Sequence, residues 1–185
     1  MQSKRLSISE AQTIVVSPSE RDIEVPRGTF RYLIKQEEGE QVHTFHLRES
    51  DTQVLIVGLV EATDTDTPSL ETAVVHHAPR TKAETLIKTL VRDTAGPRYR
   101  GMIRIEPGSR ECESYLNHHS LLIGSKAQSW TTPSLEILNN GVKCSHAATV
   151  RTITPTDLFY LESRGLSPED SEKLLIEAFL SDVQD

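Results

Sequence analysis

Ten short runs of branched or alternating residues, each cut off by turn residues, fill the first 150 positions of this chain: Gln12–Val16, Gly28–Gln36, Gln41–Leu47, Gln53–Glu61, Thr72–His77, Glu84–Val91, Gly101–Ile105, Ser120–Ile123, Leu135–Leu138 and Val142–Ser145. Branched and aromatic side chains fit a pleated, half-buried surface, and alternation sends every second side chain to one face, so each run reads as a β-strand. Glu38-Gly39, Thr65–Pro68, Ala95–Pro97, Pro107-Gly108 and Asn139–Gly141 mark the turns. The last of these, between two strand segments, is the strongest tight-turn signal. So many short strands restrict the body to a sandwich, a barrel or a β-helix. No strict hexapeptide repeat is present, which disfavours a left-handed hexapeptide helix.

The last thirty residues change character. Thr154 can N-cap a helix that has Pro155 at its first position and Asp157 in its first turn, and Ser167 stands in the same relation to Pro168, Glu169 and Asp170. Gly165 supplies the left-handed residue that stops the first helix. In the second, Leu174, Leu175, Ala178 and Phe179 follow the three-and-four spacing of an apolar stripe, which must be covered by the protein's own body or by a partner. The expected division is therefore a β body over residues 1–153 and a helical segment over 154–185.

A chain of 185 residues is long enough for one domain with a core of its own. No run approaches the ~18 apolar residues of a membrane span, and Met1–Arg5 begin without an apolar signal core, so no membrane is expected and the location read from the sequence is cytoplasmic. The net charge of -7 falls almost wholly on residues 155–185, where eight acids face Arg164 and Lys173. That balance argues against nucleic acid, whose phosphates require a basic surface, and suits either a solvated helical face or a basic protein partner.

The chemistry-bearing residues are few. Cys112 and Cys144 are the two cysteines, too few for a disulfide scaffold and best read as free thiols. In a strand, residues two apart share a face, so Cys144 and His146 point the same way, a thiol and an imidazole suited to iron, zinc or sulfur chemistry. Two ligands do not complete a metal site, and a buried cysteine beside a hydrogen-bonded histidine is the commoner arrangement. The adjacent pairs His76-His77 and His118-His119 split between opposite faces, as do His43 and His46. A cupin-like metal enzyme is therefore poorly matched, because its His-x-His spacing is missing, and a zinc enzyme built on Cys112, Cys144 and His146 lacks a close-spaced cluster. No phosphate-binding lysine loop, dinucleotide turn or nucleophile elbow is present.

The segments Val75–Thr81, Arg100–Ile105, Asn117–Gly124, Pro133–Ile137, Val142–Thr149 and Leu158–Gly165 resemble, in order, the landmarks of the SufB/SufD family, the scaffold proteins of the SUF iron–sulfur cluster assembly system. The likeness runs from about Thr72 to the C-terminus and leaves residues 1–70 poorly matched. It implies a mainly β fold, a right-handed parallel β-helix with a C-terminal pair of α-helices, to which the 18 Thr and 18 Ser add consistency. It implies a scaffold, not an enzyme, that dimerises with a SufB-like chain or with itself, and that carries a transient iron–sulfur cluster near Cys144 and His146. It also implies that a SufC-type ATPase docks on the C-terminal helices, making Leu174, Leu175 and Phe179 the partner-surface candidates. His118 joins the cluster candidates because it stands where SufB has a cysteine. Ala147, which follows His146 where SufB has a glutamate, makes the resemblance closer to SufD. The resemblance leaves the involvement of reduced flavin open. A partner that lends only its fold and carries no cluster is the remaining alternative.

Overall fold

The computed structural model describes residues 11–184, in which eleven strands precede two helices. The strands are β1 (Gln12–Val15), β2 (Asp22–Glu24), β3 (Thr29–Gln36), β4 (Glu40–Leu47), β5 (Gln53–Ala62), β6 (Ser69–His76), β7 (Lys82–Arg92), β8 (Arg98–Ile105), β9 (Glu113–Ile123), β10 (Trp130–Ile137) and β11 (Lys143–Thr152). The helices are α1 (Pro155–Glu162) and α2 (Pro168–Gln184). The readings of Met1–Arg5 and of Asp185 lie outside the described residues.

Odd-numbered strands form a six-stranded sheet in the order β1-β3-β5-β7-β9-β11, and even-numbered strands form a five-stranded sheet in the order β10-β8-β6-β4-β2. Every pairing is parallel. Each coil thus gives one strand to each sheet before climbing one strand spacing, ~4.8 Å, to the next, which is a parallel β-helix. The pattern overturns the cupin-like alternative, a fold of antiparallel strands. The turn signal at Asn139–Gly141 falls between β10 and β11, and because these strands lie in different sheets the segment is a corner of the coil.

The interior lies between the two sheets and holds Tyr32, Ile34, Phe45, Leu47, Val54, Ile56, Leu70, Val74, Ile87, Ile103, Ile105 and Leu116. In-register pairing stacks these residues in columns, such as Tyr32, Ile56, Thr85 and Leu116. Gly101 faces this interior, where a Cβ would stand 2.4 Å from Leu116 Cδ1, so glycine there makes room for the leucine. At one corner, Asp51, Arg80 and Glu111 take the left-handed conformation on successive coils, and Arg80 binds Asp51 through two hydrogen bonds of 2.8 and 3.0 Å.

Both helix starts follow the sequence. Thr154 and Asp157 form a reciprocal capping box, and the Asp170 amide donates to Ser167 Oγ at 3.1 Å. Gly165 has φ +96 and its amide closes onto the Glu162 carbonyl. α2 then lies on the outer face of the six-stranded sheet. Lys88, nearly buried on β7, donates to the Phe179 carbonyl and sits 3.2 Å from Asp182, while Arg92 reaches Glu172 at 2.9 Å. These two ion pairs neutralise part of the acidic tail within the chain itself, and Leu180 of the same helix is buried.

Candidate functional site

The last coil positions the sulfur and nitrogen groups that the sequence marks as candidates, Cys144 and His146. β11 pairs in register with β9, setting Cys144 over Ser114, His146 over Leu116, Ala148 over His118 and Val150 over Ser120. All four β9 residues are buried and face the interior. Cys144, His146, Ala148 and Val150 therefore occupy the same inward row one level higher, where the chain turns into α1 and, among the described residues, no further coil follows. On the facing sheet, Leu135 and Ile137 of β10 stand over the fully buried Ile103 and Ile105 of β8. Leu135, Ile137 and Val150 are nevertheless exposed, Val150 by 52%. These side chains have the orientation of core residues and lack the layer that would cover them.

Cys144 is half-buried and packs against the core. Burial pushes its thiol up to about 11, the backbone amide of Ser114 offsets part of that, and the nearby Cys112 thiol adds to it. At neutral pH the group is a thiol, and ionisation requires an entering cation or a more polar surrounding. His146 lies on the same inward face and is exposed.

Cys112 lies two residues before Ser114, fully buried at a corner where its carbonyl accepts the Lys143 amide at 2.9 Å. Its sulfur is 3.2 Å from Thr81 Oγ1, which in turn is 2.7 Å from His76 Nδ1. His76 is fully enclosed, and desolvation lowers it to about 4, so it is neutral. Sequence reading placed His76 and His77 on opposite faces but missed the chain of contacts through Thr81, which joins two coils and leaves no local pattern.

His118 is a core histidine. Its Nε2 lies 2.8 Å from Thr89 Oγ1, its ring packs on Tyr99 at 4.7 Å between centroids, and desolvation lowers it to about 4. It sits one coil beneath Ala148, not beside Cys144 and His146. Among the described residues no three His, Cys, Asp or Glu groups converge on a point that could hold a metal ion, so the zinc-enzyme alternative finds no ligand set. His43 is buried and His46 half-buried on opposite faces of β4, as the alternation requires; His46 Nδ1 lies 3.0 Å from His77 Nε2 on the outer face.

The helical candidates divide. Leu175 and Phe179 are half-buried and help line a cavity of about 170 Å³ against Leu121, Arg151 and Ile153, with the Lys88 ammonium 4.9 Å above the Phe179 ring. Leu174 is exposed. Phe159 and Tyr160 of α1 are more exposed, 70% and 59%, and together they form the larger uncovered apolar surface on the helices. Their only sequence signal was two aromatics in a short capped helix.

Residues 33–179 match the SufBD core domain of the SUF system for FeS cluster assembly. The chain belongs to the SufB/SufD family. It is 36% identical over 98 residues to the iron–sulfur cluster assembly protein SufD of Escherichia coli, covering 53% of this chain and 23% of that protein. With the SufD of Bacillus subtilis it shares 31% identity over 133 residues, covering 72% of this chain and 30% of that one. An iron–sulfur cluster assembly SufBD family protein of Synechocystis is 30% identical over 112 residues, 60% of this chain and 23% of its own length. The chain thus spans less than a third of each of these relatives. The parallel coils and C-terminal helices of this SufBD core agree with the fold that the sequence landmarks implied. No helix among the described residues is long and apolar enough to cross a membrane.

Proposed function

We infer that this chain is a SufD-like scaffold subunit of iron–sulfur cluster assembly, which pairs through its last coil with a SufB-like chain or a second copy and presents Cys144 and His146 to the cluster. The observation that carries this reading is the inward row of β11, where a thiol and an imidazole share a coil end lined by uncovered Leu135, Ile137 and Val150. A partner strand docking on that end covers the apolar side chains and brings a second set of ligands to the first. Two subunits with a thiolate and an imidazole each supply the four ligands a cluster takes, so an interface accomplishes what a single chain does not. The cluster is cargo, built and handed on; its iron and sulfide come from donors of the assembly system.

A SufC-type ATPase docks on the helices. The exposed Phe159, Tyr160 and Leu174 support this, as does the acidic composition of α2. The self-packing of Phe179 and Leu180 means that the partner reads the outer surface, not the stripe already covered by the sheet.

The pairing is tested by Val150→Arg in the full chain. The variant folds, because the residue faces open space, and it fails to form the dimer or the complex with a SufB-like chain in sedimentation. An undiminished complex refutes the seam. The cupin and zinc-enzyme readings have no comparable support. A partner that lends only its fold is distinguished by complex formation that survives Cys144→Ser while cluster yield does not change.

A further inference from the structure

We propose that Ser114 is a positioning residue for Cys144, its buried hydroxyl turning to donate a hydrogen bond to the sulfur when that sulfur is anionic, as it is on an iron–sulfur cluster. The inference rests on the scaffold reading above and deepens it, naming the residue that holds the ligating sulfur from beneath.

Geometry brings the two groups together. Cys144 stands directly over Ser114 in the parallel register of β11 and β9, and both side chains belong to the inward row. Register partners on adjacent strands are ~4.8 Å apart, a gap that a cysteine and a serine close when their χ1 rotamers turn sulfur and oxygen toward each other. The Ser114 backbone amide is already hydrogen-bonded to the Cys144 sulfur, so that atom leans onto the coil beneath, beside the hydroxyl.

The hydroxyl is idle in the thiol form. Ser114 is 1% exposed, and its Oγ has no hydrogen-bond partner. Ala83, the register partner on the coil below, offers no side-chain acceptor, and neither does Leu116, the next residue of the row. The Cys112 sulfur is engaged by Thr81 and by the Ala78 carbonyl. A buried polar group left in this state lowers stability relative to alanine, which fills the same place without a polar atom. Cys144 supplies the missing acceptor. A thiol sulfur accepts weakly, whereas a thiolate or an iron-bound sulfur carries charge, and hydrogen bonds to charged acceptors are about twice as strong. The step balances without redox change: the Cys144 S–H bond breaks, its proton leaves to solvent, the S–Fe bond forms, and Ser114 keeps the proton it donates. Amide and hydroxyl of one residue then hold the charged sulfur, which is how groups outside the ligand set tune a cluster's affinity and potential.

The test compares the full chain with Ser114→Ala and Ser114→Thr. In the metal-free proteins, Ser114→Ala should keep or raise the urea midpoint, and iodoacetamide should modify its Cys144 roughly three- to tenfold more slowly at pH 9. Ser114→Thr, which retains the hydroxyl, should restore the wild-type rate. After anaerobic reconstitution with a SufB-like partner, the Ser114→Ala complex should lose iron to a chelator roughly tenfold faster than wild type. A lowered urea midpoint in Ser114→Ala, or alkylation equal to wild type, overturns the proposal. A wild-type complex without cluster refutes the scaffold reading instead, and slow alkylation in Ser114→Ala that Ser114→Thr restores then upholds the role of the hydroxyl toward the anionic sulfur.

Discussion

Cys144 stands directly over Ser114 in the parallel register of β11 and β9, so the thiol takes the place that a core residue would hold if another coil followed. This one relationship explains why the thiol is half-buried, why burial holds it protonated, and why it nonetheless meets the uncovered end of the helix.

A thiol raised to about 11 alkylates slowly. Since the thiolate is the reactive form, iodoacetamide is expected to modify Cys144 on the order of 100-fold more slowly at pH 7.5 than an ordinary cysteine, with a rate still climbing between pH 9 and 10. Mass spectrometry of the native chain should find one adduct, at Cys144, and none at the enclosed Cys112. A rate that levels off by pH 8.5 contradicts the burial argument.

The enclosed histidines make the fold sensitive to acid. His76 and His118 are held near 4 in the folded chain and return to ~6.5 on unfolding, so the unfolded state binds more protons between those values. Their contribution is complete above pH 6.5 and falls with pH by up to ~1.4 kcal/mol per unit for each histidine until about pH 4. Urea midpoints measured from pH 7.5 to 4.5 should decline along that course, and His118→Asn should flatten it.

Lys88 anchors α2 to the sheet. Lys88→Ala removes the donor to the Phe179 carbonyl and the partner of Asp182, with an expected loss of ~1–3 kcal/mol and faster amide exchange confined to α2. A double cycle with Asp182→Ala should show a coupling of ~0.5–2 kcal/mol, and additivity would mean that the carbonyl contact alone holds the helix.

The exposed aromatics separate docking from folding. Phe159→Asp and Tyr160→Asp should leave stability within ~0.5 kcal/mol and weaken capture of a SufC-type ATPase at least tenfold. Phe179→Asp, by contrast, should loosen α2 first, because Phe179 packs beneath the helix with Lys88 above its ring.

How much of this was legible before the fold was known follows from where the information resides. The capped helix starts at Thr154 and Ser167 are local, and both were readable to the residue. The lengths of β9 and β11 were not. The sequence points to strands at Ser120–Ile123 and Val142–Ser145, whereas the structure extends them to Glu113–Ile123 and Lys143–Thr152. The inward row of β9 contains the polar residues Ser114, His118 and Ser120, of which His118 pairs with Thr89 of the neighbouring coil, and they hide the apolar alternation that marks a strand. On β11 the alternation is hidden because its inward row is uncovered. The short β2 went unread for want of an apolar run.

The shared face of Cys144 and His146 followed from a two-residue period, and the register confirms it. That His118 belongs with Thr89 and Tyr99 instead required knowing which coil lies next to which. The contact between Cys112 and Thr81 depends likewise on stacking. Composition excluded the antiparallel alternatives no better than it supported them; the all-parallel pairing decided the fold.

The most direct test is anaerobic reconstitution of the full chain with iron and sulfide in the presence of a SufB-like partner, followed by separation of dimer from monomer. The expected result is iron–sulfur absorbance confined to the dimer and lost in Cys144→Ser and His146→Ala. A fully loaded monomer, or a Cys144→Ser dimer that carries as much cluster as the wild type, would contradict assembly at the open coil.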